Sequence, residues 1–302
     1  MCERSHPRRR SGLQVTARSA GGTWRAPNVA TDGPNGRLAC AAVSTADPLA
    51  PLAELPGVAE ACAEASDALG RAHRHRANLR GWPTNAAEAG LRAARASSVL
   101  DGGALQLSEE GPDPILAGAL RVSESLEGGA TSLVGVWQRA PMQAIAKLHA
   151  LAAADIADDD HLGRPRADTD VGRRLELLAA IVTGGTKVPA PVLAAVVHGE
   201  LLTLAPFGSA DGVVARAVSR LVTISSGLDP HGLGVPEVYW MRQSGDYRAA
   251  ERGFASGTPD GLTAWVLMSC RALHAGAREA LSIAQGSAGE GPQQSKAGGV
   301  PN

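Results

Sequence analysis

An all-α fold is what this sequence predicts, and three observations carry the prediction. Apolar residues make up 44% of the 302 residues, yet only two are Phe and two are Tyr. The core must therefore be built from Ala, Leu and Val, side chains that suit closely packed helices. Apolar positions recur at spacings of three and four in segment after segment, each bounded by Gly, Pro, Asp or Asn. Only residues 235–239 read as a strand, and that run is short.

Residues 1–46 are unlike the rest. Arg4, Arg8, Arg9, Arg10, Arg18, Arg25 and Arg37 face only Glu3 and Asp32, with scattered Gly and Pro and no apolar period. Such a segment buries too little surface to offset its ordering entropy, so a disordered basic tail is expected. No apolar run follows the arginines, which argues against a secretory leader. A helical domain is expected over residues 47–284. The Gly, Ser, Gln and Pro of residues 285–302 read as a second disordered tail.

Within the domain, residues 57–79 form a first helix along Val58, Cys62, Ala65 and Leu69, ending in basic residues that suit its negative end. Gly81-Trp82-Pro83 reads as a break. Asn85, with Glu88 three residues on, reads as the capped start of a helix ending at Asp101-Gly102-Gly103. Helices follow over 113–127 and from Met142 to Ala152, the second carrying His149 as a core or surface histidine. The acidic turn Asp158-Asp159-Asp160 reads as a solvated loop. Asp170 caps a helix through Ile181, and Pro191 opens another to Leu204.

The chain is organised around what comes next. Between the helix ending at Leu204 and one starting near Asp211 lies Ala205-Pro206-Phe207-Gly208-Ser209-Ala210-Asp211-Gly212-Val213-Val214-Ala215-Arg216. A Gly-containing loop running into a helix N-terminus presents free N–H groups and a positive dipole end, which suit an anion.

This stretch resembles the signature loop of the Fic-domain (Fido) proteins, His-Pro-Phe-x-Asp/Glu-Gly-Asn-Gly-Arg-x-x-Arg. Pro206, Phe207, Gly212 and Arg216 agree with it. Ala205 stands at the catalytic His, Ser209 at the acidic metal ligand, Ala210 at the first Gly, Asp211 at the Asn and Val213 at the first Arg. Upstream, Ser97-Ser98-Val99-Leu100-Asp101-Gly102 resembles the family's inhibitory helix, Ser/Thr-x-x-x-Glu-Gly/Asn, with Asp for Glu. Residues 162–166 fall where the family keeps a short hairpin, the flap. Tyr247 and Trp265 fall where its closing helices pack behind the loop.

The resemblance implies a Fido-like helical bundle with a central helix–loop–helix. It also implies ATP with Mg²⁺ as the cofactor, bound through Phe207, Ser209, Asp211, Gly212 and Arg216, with Ser97 and Asp101 as regulatory residues. Asp101 is expected to pair with Arg216. Asp211 is either the N-cap of the second helix or a substitute metal ligand, with the cap preferred. In active members the His takes a proton from a target hydroxyl that attacks the ATP α-phosphate. A positioned base of this kind contributes about 10²–10⁴ in rate, and Ala205 has no basic atom. His198, seven residues upstream, is roughly 10 Å away along the helix axis.

No catalytic residue is therefore assigned. The first expectation is a degenerate Fic-like pseudoenzyme or regulator that binds a nucleotide or phosphorylated ligand without transferring AMP. The alternatives are an active nucleotidyl- or phosphoryl-transferase with altered residues, and a helical module that works through a protein partner. A net charge of −1 argues against nucleic acid as a partner. The absence of any long uncharged apolar run argues against the membrane. Four cysteines, Cys2, Cys40, Cys62 and Cys270, show no paired spacing. The expected compartment is the reducing cytoplasm.

Overall fold

Twelve α-helices make up the computed structural model, which describes residues 47–108, 111, 113–127 and 133–289. The predicted N-terminal tail lies outside these residues. No β-strand occurs among them, only an isolated bridge between Ser108 and Gly111. Among the described residues no helix is long and apolar enough to cross a membrane.

The N-terminal helices are α1 (Ala50–Ala53), α2 (Val58–Arg74) and α3 (Asn78–Leu100). The break expected at Gly81-Trp82-Pro83 does not occur, because α3 runs through Pro83. Proline there costs one hydrogen bond, to the carbonyl of Leu79 four residues back. Leu79 is 67% exposed, so water can serve that carbonyl. Asn85 is no cap. It is buried inside the helix, donating to Asn78 Oδ1 at 2.6 Å and accepting from Ser287 at 2.8 Å.

Helix α4 (Pro114–Leu126) starts as expected, Asp113 accepting the N–H of Leu116. A short helix missing from the sequence reading, α5 (Leu133–Arg139), buries Trp137 before α6 (Pro141–Ala153). Helix α7 (Thr169–Ala180) is capped by Asp168 rather than by Asp170, and relaxes into a π-type turn, Ile181–Gly185. The central hairpin is α8 (Ala190–Leu204) and α9 (Asp211–Ser225).

The segment expected as a strand is α10 (Pro236–Arg242), with Pro236 at its first position, where the missing N–H costs nothing. Helices α11 (Ser244–Ser256) and α12 (Pro259–Gly289) close the chain. Residues 285–289, expected as the start of the tail, belong to α12.

Helix α8 is the axis. It packs antiparallel on α9 and against α11 and α12, while α12 runs along α2. It is buried along most of its length, and Ala194, Ala195 and Gly199 are the small residues among its buried positions. A Cβ on Gly199 would fall 2.7 Å from the Trp265 indole nitrogen and 2.9 Å from the Phe254 ring. That absence of a side chain is what lets the aromatic residues of α11 and α12 close on α8. One core unites α4 to α9, and a second joins α2, α8, α10, α11 and α12.

Candidate functional site

The loop between α8 and α9 reverses the chain through three left-handed residues, Ala205 at φ 44°, Gly208 at φ 79° and Ala210 at φ 51°. Only one is glycine. A left-handed alanine costs about 1–2 kcal/mol, so packing must hold the other two in place. Three anchors do so.

The first anchor is Asp211, which does not cap α9. Its carboxylate reaches back into the loop and accepts the N–H groups of Phe207 at 2.9 Å and Gly208 at 2.7 Å. The N-cap position belongs to Ala210, which has no side chain to offer. The expectation of an Asp211 cap is thus corrected: the loop's own N–H groups are better placed for its short side chain. Burial pushes the Asp211 pKa up, and the two amides pull against that shift.

The second anchor is His149. Its ring stacks on Phe207 with centroids 3.9 Å apart and planes 5° from parallel. Its Nδ1 accepts the N–H of Gly163 at 2.9 Å. A backbone N–H can only donate, so the neutral ring carries its proton on Nε2. That nitrogen lies 3.3 Å from Ser209 Oγ. His149 in this state donates to Ser209 and cannot act as a base toward it. Burial holds the ring's pKa below the ordinary histidine value, with the Ser209 contact acting against it.

The third anchor is Arg166, from the segment placed at the family's flap. No hairpin forms there. A 3₁₀ turn, Asp159–His161, leads into an extended strap, because Pro165 supplies no N–H for a ladder. The strap lies along the loop instead. Arg166 N–H donates to the carbonyl of Pro206 at 2.8 Å. Its guanidinium bonds the carbonyls of Leu204 at 3.0 Å and Ala205 at 3.1 Å, at the negative end of α8.

Against this loop stands the end of α3. Arg216 is 2% exposed, in the second turn of α9. It donates Nε to Ser97 Oγ at 2.8 Å, and Nη2 to the Ser97 carbonyl at 3.0 Å and Asp101 Oδ1 at 2.8 Å. The expected Asp101–Arg216 ion pair is present, made through one carboxylate oxygen rather than two. The same carboxylate lies over the first turn of α9. A Cβ on Gly212 would fall 2.6 Å from Asp101 Oδ2. Gly212 is therefore the residue that admits Asp101 to the helix N-terminus, where the dipole favours a negative charge.

Beneath Arg216, Tyr247 bonds the fully buried His198 at 2.8 Å, and Trp265 donates to the Ala195 carbonyl at 2.7 Å. Burial, with the nearby Arg216 charge, holds the His198 pKa well below the ordinary value. His198 faces this cluster and contributes nothing at Ala205.

A cavity of about 350 Å³ opens beside the loop, lined by Asp101, Ile115, Ile156 and residues 208–212. Phe207 and Arg216 stand behind it, and Ser97 behind Arg216. All seven residues singled out from the sequence thus gather at one place. The arrangement does not fit a magnesium-bound triphosphate as it stands. Asp101 covers the helix N-terminus, Asp211 fills two of the loop amides, and Ser209 brings no carboxylate. No cluster of three or more metal-ligating side chains occurs among the described residues.

Sequence reasoning read His149 only as a core or surface histidine and Arg166 only as part of the flap position, and gave neither a part in the site. Signals for both existed: His149 lies four residues after Ile145, on the inward stripe of α6, where a polar ring needs partners. Arg166 follows Gly163-Arg164-Pro165, a turn-forming stretch just ahead of α7.

No protein-family model matches this chain, and no curated protein does. Solved structures do. A Fic family protein from Desulfovibrio desulfuricans G20 superposes with a TM-score of 0.59 at 17% identity, over 79% of this chain and 77% of its own. At that identity the likeness is one of fold, and the all-α fold described above is the Fic fold.

Proposed function

We propose that this chain is a Fic-fold pseudoenzyme whose phosphate site is kept closed by its own carboxylate. It takes up a nucleotide or phosphorylated ligand only when Asp101 withdraws, and it transfers no AMP. The observation that carries this reading is the position of Asp101. The carboxylate sits against Gly212 and bonds Arg216, the two residues at which an incoming phosphate would be held. A phosphate there would meet a like charge at contact distance and would find Arg216 already engaged. The absence of transfer follows from Ala205, which has no proton acceptor, and from His149, whose proton is fixed on the nitrogen facing the site.

Asp101→Gly opens the site in this reading. Calorimetry with ATP and Mg²⁺ should then show affinity at least about tenfold above wild type, within the usual range of coupling between competing states. Labelled ATP should leave no mark on either protein. Label transfer by the wild-type chain would establish the transferase alternative instead. Absence of ATP binding in both proteins would favour the third reading, a module working through a protein partner. That third reading has an observation behind it: the amides of Phe207 and Gly208 and the Nε and Nη2 of Arg216 are bonded within the chain.

A further inference from the structure

Away from the loop, the fold brings together two cysteines that are 208 positions apart in sequence. Cys62 on α2 and Cys270 on α12 have their sulfurs 3.7 Å apart, and both thiols are buried and free. They belong to the core that joins α2, α8, α10 and α12. Cys270 also lines a recess of about 250 Å³ that is walled by Tyr239, Arg271, His274 and Arg278. The pair is thus sheltered from bulky reagents, while the recess, which Ala61 and Glu64 also line, gives a small one a way in at Cys270.

We propose that Cys62 and Cys270 are a redox-responsive pair, which a small peroxide converts into an intramolecular disulfide joining α2 to α12. The contact already present needs to shorten by less than about 2 Å to reach bonding distance. Either thiol can donate to the other, and the accepting sulfur, taken here as Cys62, ionises first. Its thiolate attacks one peroxide oxygen, the O–O bond breaks, and the departing hydroxide takes up the released proton as water. The resulting sulfenic acid is attacked at sulfur by Cys270. An S–S bond forms, the S–O bond breaks, and a second water leaves with the Cys270 proton. Two thiols and one peroxide give one disulfide and two waters.

The test uses the full chain with Cys2 and Cys40 changed to Ser, treated with hydrogen peroxide while folded. Peptide mapping without reductant should give one cross-linked species containing Cys62 and Cys270, lighter by two hydrogens. Dithiothreitol should reverse it. The cross-link closes a very long loop, so the Tm should rise by about 5–10 °C. Cys62→Ala should abolish both effects. Should that variant fail to fold, alkylation of the unaltered pair before and after peroxide gives the same answer. The proposal is overturned if both thiols remain alkylatable after unfolding of the treated protein. It is equally overturned if Cys62 or Cys270 gains two oxygens as a sulfinic acid, or if the cross-link forms only when peroxide is added in denaturant.

Discussion

Gly212 and Asp101 show how one missing methyl group can decide the state of a site. Replacing Gly212 with Ala places a Cβ against the carboxylate, so either Asp101 or the first turn of α9 must move. Overpacking of this kind costs about 1–3 kcal/mol. In the Asp101→Gly background the obstacle is gone and most of that cost should disappear, a coupling that a double-mutant cycle in urea would measure. Equal costs in both backgrounds would mean that the two residues do not meet.

His149 adds a pH dependence whose sign follows from its surroundings. Burial depresses its pKa in the folded state, so as pH falls below about 6.5 the unfolded chain binds the proton first. His198 acts in the same direction. Stability is complete above that pH and is lost as pH drops toward the folded values. Thermal melts should show a Tm that is flat above about pH 7 and declines below about 6.5. His149→Gln should shrink the decline.

At the scale of elements, the strap across the loop is held by one side chain that reaches two carbonyls at the end of α8. Arg166→Ala removes both of those bonds, while the backbone bond to Pro206 can remain. Arg166 is exposed, so the loss of global stability should be small, within about 1 kcal/mol. The local effect should be larger. Hydrogen exchange in residues 162–168 should speed up several-fold while α8 and α9 keep their protection. Uniform acceleration through α8 would show that the guanidinium also caps the helix thermodynamically. Helix α3 supplies a complementary test. Pro83→Ala restores a donor to the Leu79 carbonyl and should stabilise the chain modestly, by about 1 kcal/mol, as read from its melting curve.

At the scale of the whole molecule, the central hairpin is a junction between two oppositely ended helices. The C-terminal end of α3 delivers a carboxylate to the N-terminal end of α9, and the strap delivers a guanidinium to the C-terminal end of α8. Each helix end thus meets a charge of the sign that its dipole favours. Asp211→Asn removes one negative charge from the cavity and keeps an acceptor for one loop amide. Combined with Asp101→Gly, it should strengthen ATP binding further, by several-fold in calorimetry. Binding weaker than in Asp101→Gly alone would show that the loop needs both carboxylate oxygens to hold its shape.

The sequence by itself determined most of the helices and the loop that joins the central pair. Periodic Ala, Leu and Val fixed α2, α6, α8 and α9 to within a few residues, because a 3.6-residue stripe is a local property. The order Ser97, Asp101, then Phe207 to Arg216 located the loop and its partner helix. Local signals also misled. Pro83 reads as a break and residues 235–239 as a strand, yet α3 continues because Asn85 is bonded on both sides, and Pro236 starts a helix that buries Trp240. The tertiary structure alone decided what each loop group touches. Asp211 turns back to two amides, His149 locks its tautomer on Gly163, and Cys62 meets Cys270 across the bundle. The Asp211 contacts are local to the loop, but the other two join segments that only the packing brings together, and a side chain's partner there depends on how the helices cross. No local pattern encodes that crossing.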